Sequence, residues 1–113
     1  MRETGKIDYL EMPVASGDLA QTTAFYGAAF GWQFTPYGPQ YSAFSEGLDG
    51  GFDATPEAVQ KPLPVLYAAD LEACHAAVIA AGGTVLREIF AFPGGRRFHF
   101  RDPAGNELAV WSE

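Results

Sequence analysis

The chain is poor in the residues that staple small domains or hold metal ions. Its 113 residues include one cysteine, Cys74, and two histidines, His75 and His99. A single thiol excludes a disulfide within the chain and any cysteine-based zinc site, and Cys74 in a helical pattern reads as a small buried hydrophobe. Basic residues are also few: seven Lys and Arg stand against fourteen Asp and Glu, for a net charge of -7. That balance excludes the basic footprint that nucleic acid requires and disfavours anionic membrane surfaces. No run approaches the ~18 apolar residues of a membrane span. The stretch up to Asp8 has no apolar signal core. Together these absences predict a cytoplasmic protein in a cell that keeps thiols reduced.

What is abundant is apolar and aromatic. The hydrophobic fraction is 48%, with nine Phe, five Tyr and two Trp, while charged residues are only 19%. A chain of this length and composition predicts one ordered domain, spanning 1–113, with a real core.

Punctuation divides the chain. Ile7 to Val14 alternates with the period of a strand, so Tyr9 and Glu11 share a face. Pro13 predicts an edge strand. Ala15-Ser16-Gly17 reads as a turn. Asp18 is a helix N-cap, an amphipathic stripe through Leu19, Thr22, Tyr26 and Ala29 follows, and Gly31 is a C-cap. Trp32 to Tyr37 and Tyr41 to Ser45 read as strands, Glu46 to Gly50 as a turn, and Gly51 to Asp53 as a short strand. The polar, Pro-bounded stretch 55–61 reads as a linker. Leu63 to Tyr67 is a strand, expected at an edge because Pro62 and Pro64 open it. Asp70 then caps a helix running to about Ala81, which Gly82-Gly83 stops. Thr84 to Phe90 is a strand and Ala91 to Gly95 a loop. Phe98-His99-Phe100, the turn Asp102-Pro103-Ala104-Gly105-Asn106 and Leu108 to Trp111 form a closing hairpin.

The two halves repeat one another. Asp18-Leu19 and Asp70-Leu71 are 52 residues apart, as are Gly31 and Gly83. The order is βαβββ twice, with module one at about 5–54 and module two at about 62–113. The expected fold is α+β, two βαβββ modules forming a cupped mixed β-sheet.

In Glu11-Met12-Pro13-Val14, Ala24-Phe25-Tyr26 through Phe30-Gly31-Trp32, and Phe100-Arg101-Asp102-Pro103-Ala104-Gly105-Asn106, the chain resembles the vicinal oxygen chelate superfamily. That superfamily includes glyoxalase I, extradiol dioxygenases, fosfomycin-resistance enzymes and bleomycin-binding proteins. The resemblance covers nearly the whole chain and implies a divalent metal held by the first and last strands of each module. Carried over position by position, those ligands fall at Tyr9, at Lys61 or Leu63, at Ala109, and within Gly50 to Asp53, where Asp53 alone could coordinate. A phenol with pKa ~10 is a poor ligand for such ions, and a methyl group is none. The expectation is therefore no metal and no other cofactor.

Parity gives a set of residues expected to line a cavity between the modules. It comprises Tyr9, Glu11, Tyr41, Arg97, His99 and Trp111, with Glu107 sharing the Trp111 face and Trp32, Phe34 and Phe44 as an aromatic wall. Each has a structural alternative. Glu11 and Arg97 could form an ion pair, His99 could be satisfied by a neighbour, and Phe30 and Trp32 could be core. Two functions stay open. One is a small-molecule binding protein like the bleomycin-binding branch. The other is a superfamily enzyme, a lyase, isomerase or dioxygenase, with Glu11 and His99 as candidate acid and base or with an atypical metal site. The expected partners are a small-molecule ligand and a second copy of the chain in a homodimer.

Overall fold

Alternation, capping and turn chemistry produce the ten elements in the predicted order. The computed structural model describes residues 2–15, 17–56 and 58–113. The turn expected at Ser16 and part of the linker, Glu57, lie outside the described residues. In chain order the elements are β1 (Ile7–Pro13), α1 (Leu19–Phe30), β2 (Thr35–Pro36), β3 (Tyr41–Glu46), β4 (Leu48–Asp53), β5 (Leu63–Tyr67), α2 (Leu71–Ala80), β6 (Thr84–Phe92), β7 (Gly95–Arg101) and β8 (Glu107–Ser112).

Both helices start where an aspartate accepts an otherwise unpaired N–H. Asp18 takes Gln21 N at 2.9 Å and Asp70 takes Ala73 N at 3.0 Å. Gly31 ends α1 in the left-handed conformation, φ 74°. The second helix stops at Ala80 rather than Ala81, with Ala81 as its cap.

Two compact units result: Tyr9–Leu63, and the chain up to Asp8 together with Pro64–Glu113. In the Tyr9–Leu63 unit the strands follow the order β2-β3-β4-β1, with β1 parallel to β4. In the other they follow β5-β8-β7-β6, with β5 parallel to β8. Each helix covers one face of its own strands. Val14, Phe44 and Phe52 form the core of the first unit, with Met12, Leu19, Tyr26, Trp32 and Phe34 packed on it. Ala68, Leu71, Phe98 and Val110 form that of the second, with Leu66, Cys74, Val78, Ile89 and Phe100 around them.

Several local expectations change. Trp32 to Phe34 is not strand. Trp32 instead stacks on Tyr26 at 4.8 Å, and only Thr35 and Pro36 pair with β3. The expected turn at Glu46 to Gly50 contracts to a tight reversal at Gly47, φ 100°, and β4 is six residues long. Gly50 and Gly51 weaken strand propensity, yet they accommodate the Phe44 and Tyr41 rings, which an added Cβ at either site would strike. The strand expected to end at Phe90 continues to Phe92. Nor is β5 an edge: Val65–Tyr67 pair with β8 on one side, while Tyr67 exchanges hydrogen bonds with Gly5 and Lys6 on the other. Its prolines fall outside those paired residues. Phe30, expected in the core, is 65% exposed.

Candidate functional site

The faces turned away from the helices carry the polar residues. In the Pro64–Glu113 unit, β7 and β8 pair Arg97 with Trp111, His99 with Ala109 and Arg101 with Glu107. Direct partners share a face, so parity placed Arg97, His99, Ala109 and Trp111 correctly together. His99 is 2% exposed and Ala109 fully buried. Ala109 is too small to fill the space opposite His99, and Glu107 reaches diagonally to bring Oε2 within 2.9 Å of His99 Nδ1. The other imidazole nitrogen, Nε2, is buried with no hydrogen-bond partner among the described residues.

Burial pushes the His99 imidazole below the ordinary value of 6.5. The Glu107 hydrogen bond opposes that shift, and the positive charges of Arg97 and Arg87 reinforce it. The ring is therefore neutral at pH ~7. A carboxylate only accepts, so the neutral ring carries its proton on Nδ1 and presents a lone pair at Nε2.

Sequence reading missed what surrounds this ring. On β6 the pairing with β7 shifts register on both sides of Arg87, whose cross-strand partner is His99. The Arg87 guanidinium lies 3.7 Å above the Phe90 ring, and Phe90 lies 5.8 Å from His99. Arg97 sits over Phe90 and Phe92 at 5.4 and 5.6 Å. Trp111 serves another purpose. Its indole N–H donates to Asp8 Oδ1 at 3.0 Å, the Arg2 guanidinium covers the ring at 4.8 Å, and Arg2 is itself paired with Asp8 at 2.8 Å. Trp111 thus anchors the start of β1 at Asp8 and, through Arg2, the residues before it. No local signal marks a contact between residues so distant in sequence. Arg96 points to the helix side and grips Glu72 through both terminal nitrogens, at 2.5 and 3.1 Å. His75 is half-buried and pairs with Glu88 at 2.8 Å.

In the Tyr9–Leu63 unit the equivalent face carries Tyr9, Glu11, Tyr41 and Asp53. The Tyr9 and Tyr41 hydroxyls share a hydrogen bond. Burial raises the Tyr41 pKa far above its ordinary value, helped by the Tyr9 hydrogen bond and by the negative charges of Glu11 and Asp53. Tyr41 is thus a neutral phenol at any working pH, a hydrogen-bonding group rather than a base. Glu11 is 5% exposed. Trp32, Phe34 and Phe44, expected as a cavity wall, lie on the opposite face beneath α1; only Tyr41 of that aromatic group lies here.

The strand register relates the metal-ligand positions that the resemblance assigns in one repeat to those in the other. Val14 N donates to Asp53 O and Ala68 N to Trp111 O, both at 2.9 Å. Glu11 pairs with Gly51 as Val65 pairs with Ala109. The partner of Ala109 in the internal repeat is therefore Gly51, and Asp53, expected as the one possible donor, corresponds to Trp111. Asp53 instead accepts from Thr55 N at 2.9 Å. By the same register Leu63 corresponds to Tyr9. The four positions hold a phenol already bonded to another phenol, a glycine, a leucine and an alanine. This donor set does not fit a divalent ion, which needs carboxylate or imidazole ligands. Among the described residues no three His, Cys, Asp or Glu side chains converge to hold one.

The chain belongs to the glyoxalase-like domain family, which matches residues 11–111, and the paired βαβββ fold is that of the vicinal oxygen chelate superfamily. No curated protein matches it. Among solved structures, it is similar to an NAD-dependent benzaldehyde dehydrogenase from Legionella pneumophila (TM-score 0.76, 15% identity, 92% of this chain and 96% of that one). It is similar to a Mn(II)-bound glyoxalase from Novosphingobium aromaticivorans (TM-score 0.67, 24% identity), covering 99% of this chain but only 40% of that one. It also resembles a methylmalonyl-CoA epimerase from Streptomyces coelicolor (TM-score 0.66, 16% identity, 98% and 99% covered). At these identities the likeness is one of fold. Among the described residues no helix is long and apolar enough to cross a membrane.

Proposed function

We propose that this glyoxalase-like chain binds a small organic molecule without the superfamily's metal ion. One observation carries the reading: the four register-equivalent ligand positions are Tyr9, Gly51, Leu63 and Ala109, while polar side chains persist on the same faces. Tyr9, Glu11 and Tyr41, and separately Arg97 and His99, are the contact residues, with Trp111 at the margin of the second set. The protein acts as one domain in the cytoplasm and forms a homodimer, a reading supported by the exposed Phe25 and Phe30 rings. Titration with manganese(II), nickel(II), zinc and iron(II) is expected to give no stoichiometric binding; micromolar binding by the native chain overturns the metal-free reading. A thermal-shift screen of drugs, glutathione conjugates and aromatic acids is expected to yield stabilising compounds. Light scattering checks the dimer.

The Glu107–His99 pair favours a second reading, an enzyme. A carboxylate-oriented imidazole with an open lone pair is the arrangement of a general base. Here His99 moves the proton and Glu107 orients the ring, with Glu11 as the further candidate acid. Recovering the bound compound chemically changed, with the change lost in His99→Ala or Glu11→Gln, would establish it. Recovery unchanged supports binding alone.

A further inference from the structure

We propose that the His99 face of the Pro64–Glu113 unit selects an aromatic acid bearing a hydroxyl, whose O–H donates to His99 Nε2 and whose carboxylate meets the Arg87 guanidinium. This inference rests on the small-molecule reading above and names the ligand class.

The first support is the orphaned nitrogen. His99 is 2% exposed, and its Nε2 has no hydrogen-bond partner among the described residues. Leaving a buried polar atom unpaired is costly, so folds rarely keep one without a use. The Glu107 contact at 2.9 Å places the ring proton on Nδ1. Nε2 can then only accept, and what completes it must be a donor such as a hydroxyl.

The second support is Arg87, which is independent of the first. It is exposed, its guanidinium lies 3.7 Å from the Phe90 ring, and its charge acts on the His99 imidazole across the strand pair. The register shifts flanking it re-aim this stretch of strand, a device common beside binding sites. Arg97 adds positive charge close enough to influence His99. A guanidinium is suited to gripping a carboxylate. Phe90, between Arg87 and His99, offers a flat apolar surface to a ring.

Calorimetric titration of the full chain with ortho-, meta- and para-hydroxybenzoate, benzoate and phenol tests the assignment. At least one hydroxybenzoate should bind about tenfold or more tightly than both benzoate, which lacks the hydroxyl, and phenol, which lacks the carboxylate. Arg87→Gln should abolish the advantage of the hydroxybenzoate over phenol. As an exposed substitution it spares the fold. Glu107→Ala should reduce the advantage over benzoate, and the NMR shifts of the imidazole nitrogens should change from one tautomer to a mixture. Equal binding of benzoate and the hydroxybenzoates overturns the proposal, as does an Nε2-protonated ring in the native chain. If neutral screening compounds bind while none of these acids does, the ligand class is wrong and small-molecule binding stands. If no compound of any class binds, both fall.

Discussion

The two βαβββ repeats keep one hydrogen-bond register and fill it differently. At Gly51 the missing side chain is replaced by the ring of Tyr41, which closes the space with a neutral phenol bonded to Tyr9. At Ala109 the space beside the methyl is taken by Glu107 reaching to His99, and one imidazole nitrogen is left open. The helices diverge as well. Leu71 of α2 is 1% exposed, whereas α1 buries no residue fully and leaves Phe25 57% exposed. A duplicated frame therefore does not imply duplicated roles. On this face one repeat carries a bonded pair of aromatic hydroxyls, and the other retains an imidazole nitrogen with no hydrogen-bond partner among the described residues.

The largest test of this contrast is packing. Phe98→Ala in the second core should cost about 3–5 kcal/mol, whereas Phe25→Ala on α1 should cost about 1 kcal/mol or less. Denaturant unfolding of both variants measures it, and equal losses would erase the distinction between the helices. An intermediate effect is expected at the filled position. Gly51→Ala should cost about 1–3 kcal/mol by displacing the Tyr41 ring, and most of that should vanish in a Tyr41→Ala background. A cost unchanged between backgrounds would show that the tyrosine does not occupy the space left by the glycine. The smallest effect is a pH dependence confined to the second repeat. Because the folded-state pKa of His99 lies below its ordinary value of 6.5, the unfolded chain takes up that proton first as pH falls. The His99 contribution is fully present above about 6.5 and is lost progressively below it. Melting temperature should therefore decline across that window in the native chain and less in His99→Gln; identical profiles would contradict the burial argument.

Local chemistry was legible beforehand. Asp18 and Asp70 cap their helices, and in the closing turn Asp102 accepts from both the backbone and the side chain of Asn106, at 2.9 and 3.0 Å. Alternation also sorted Tyr9 with Glu11 and Arg97 with His99. It failed where a ring chooses between two sides. Trp32, Phe34 and Phe44 have equal apolar claims on either face, and the packing of α1 settles the choice. It failed again at Asp53, because only the pairing of β1 with β4 shows that Gly51 holds the position equivalent to Ala109.

Composition, capping residues and the internal repeat by themselves determined an α+β chain of two βαβββ units. These properties depend on residue types and on spacing along the chain. The Glu107 contact to His99, the Tyr41 ring over Gly51, the guanidinium of Arg87 beside Phe90 and the anchoring of Trp111 by Asp8 were decided by tertiary structure alone. Each depends on how strands lie side by side, and a shift of register by one residue would send every one of these side chains to the other face.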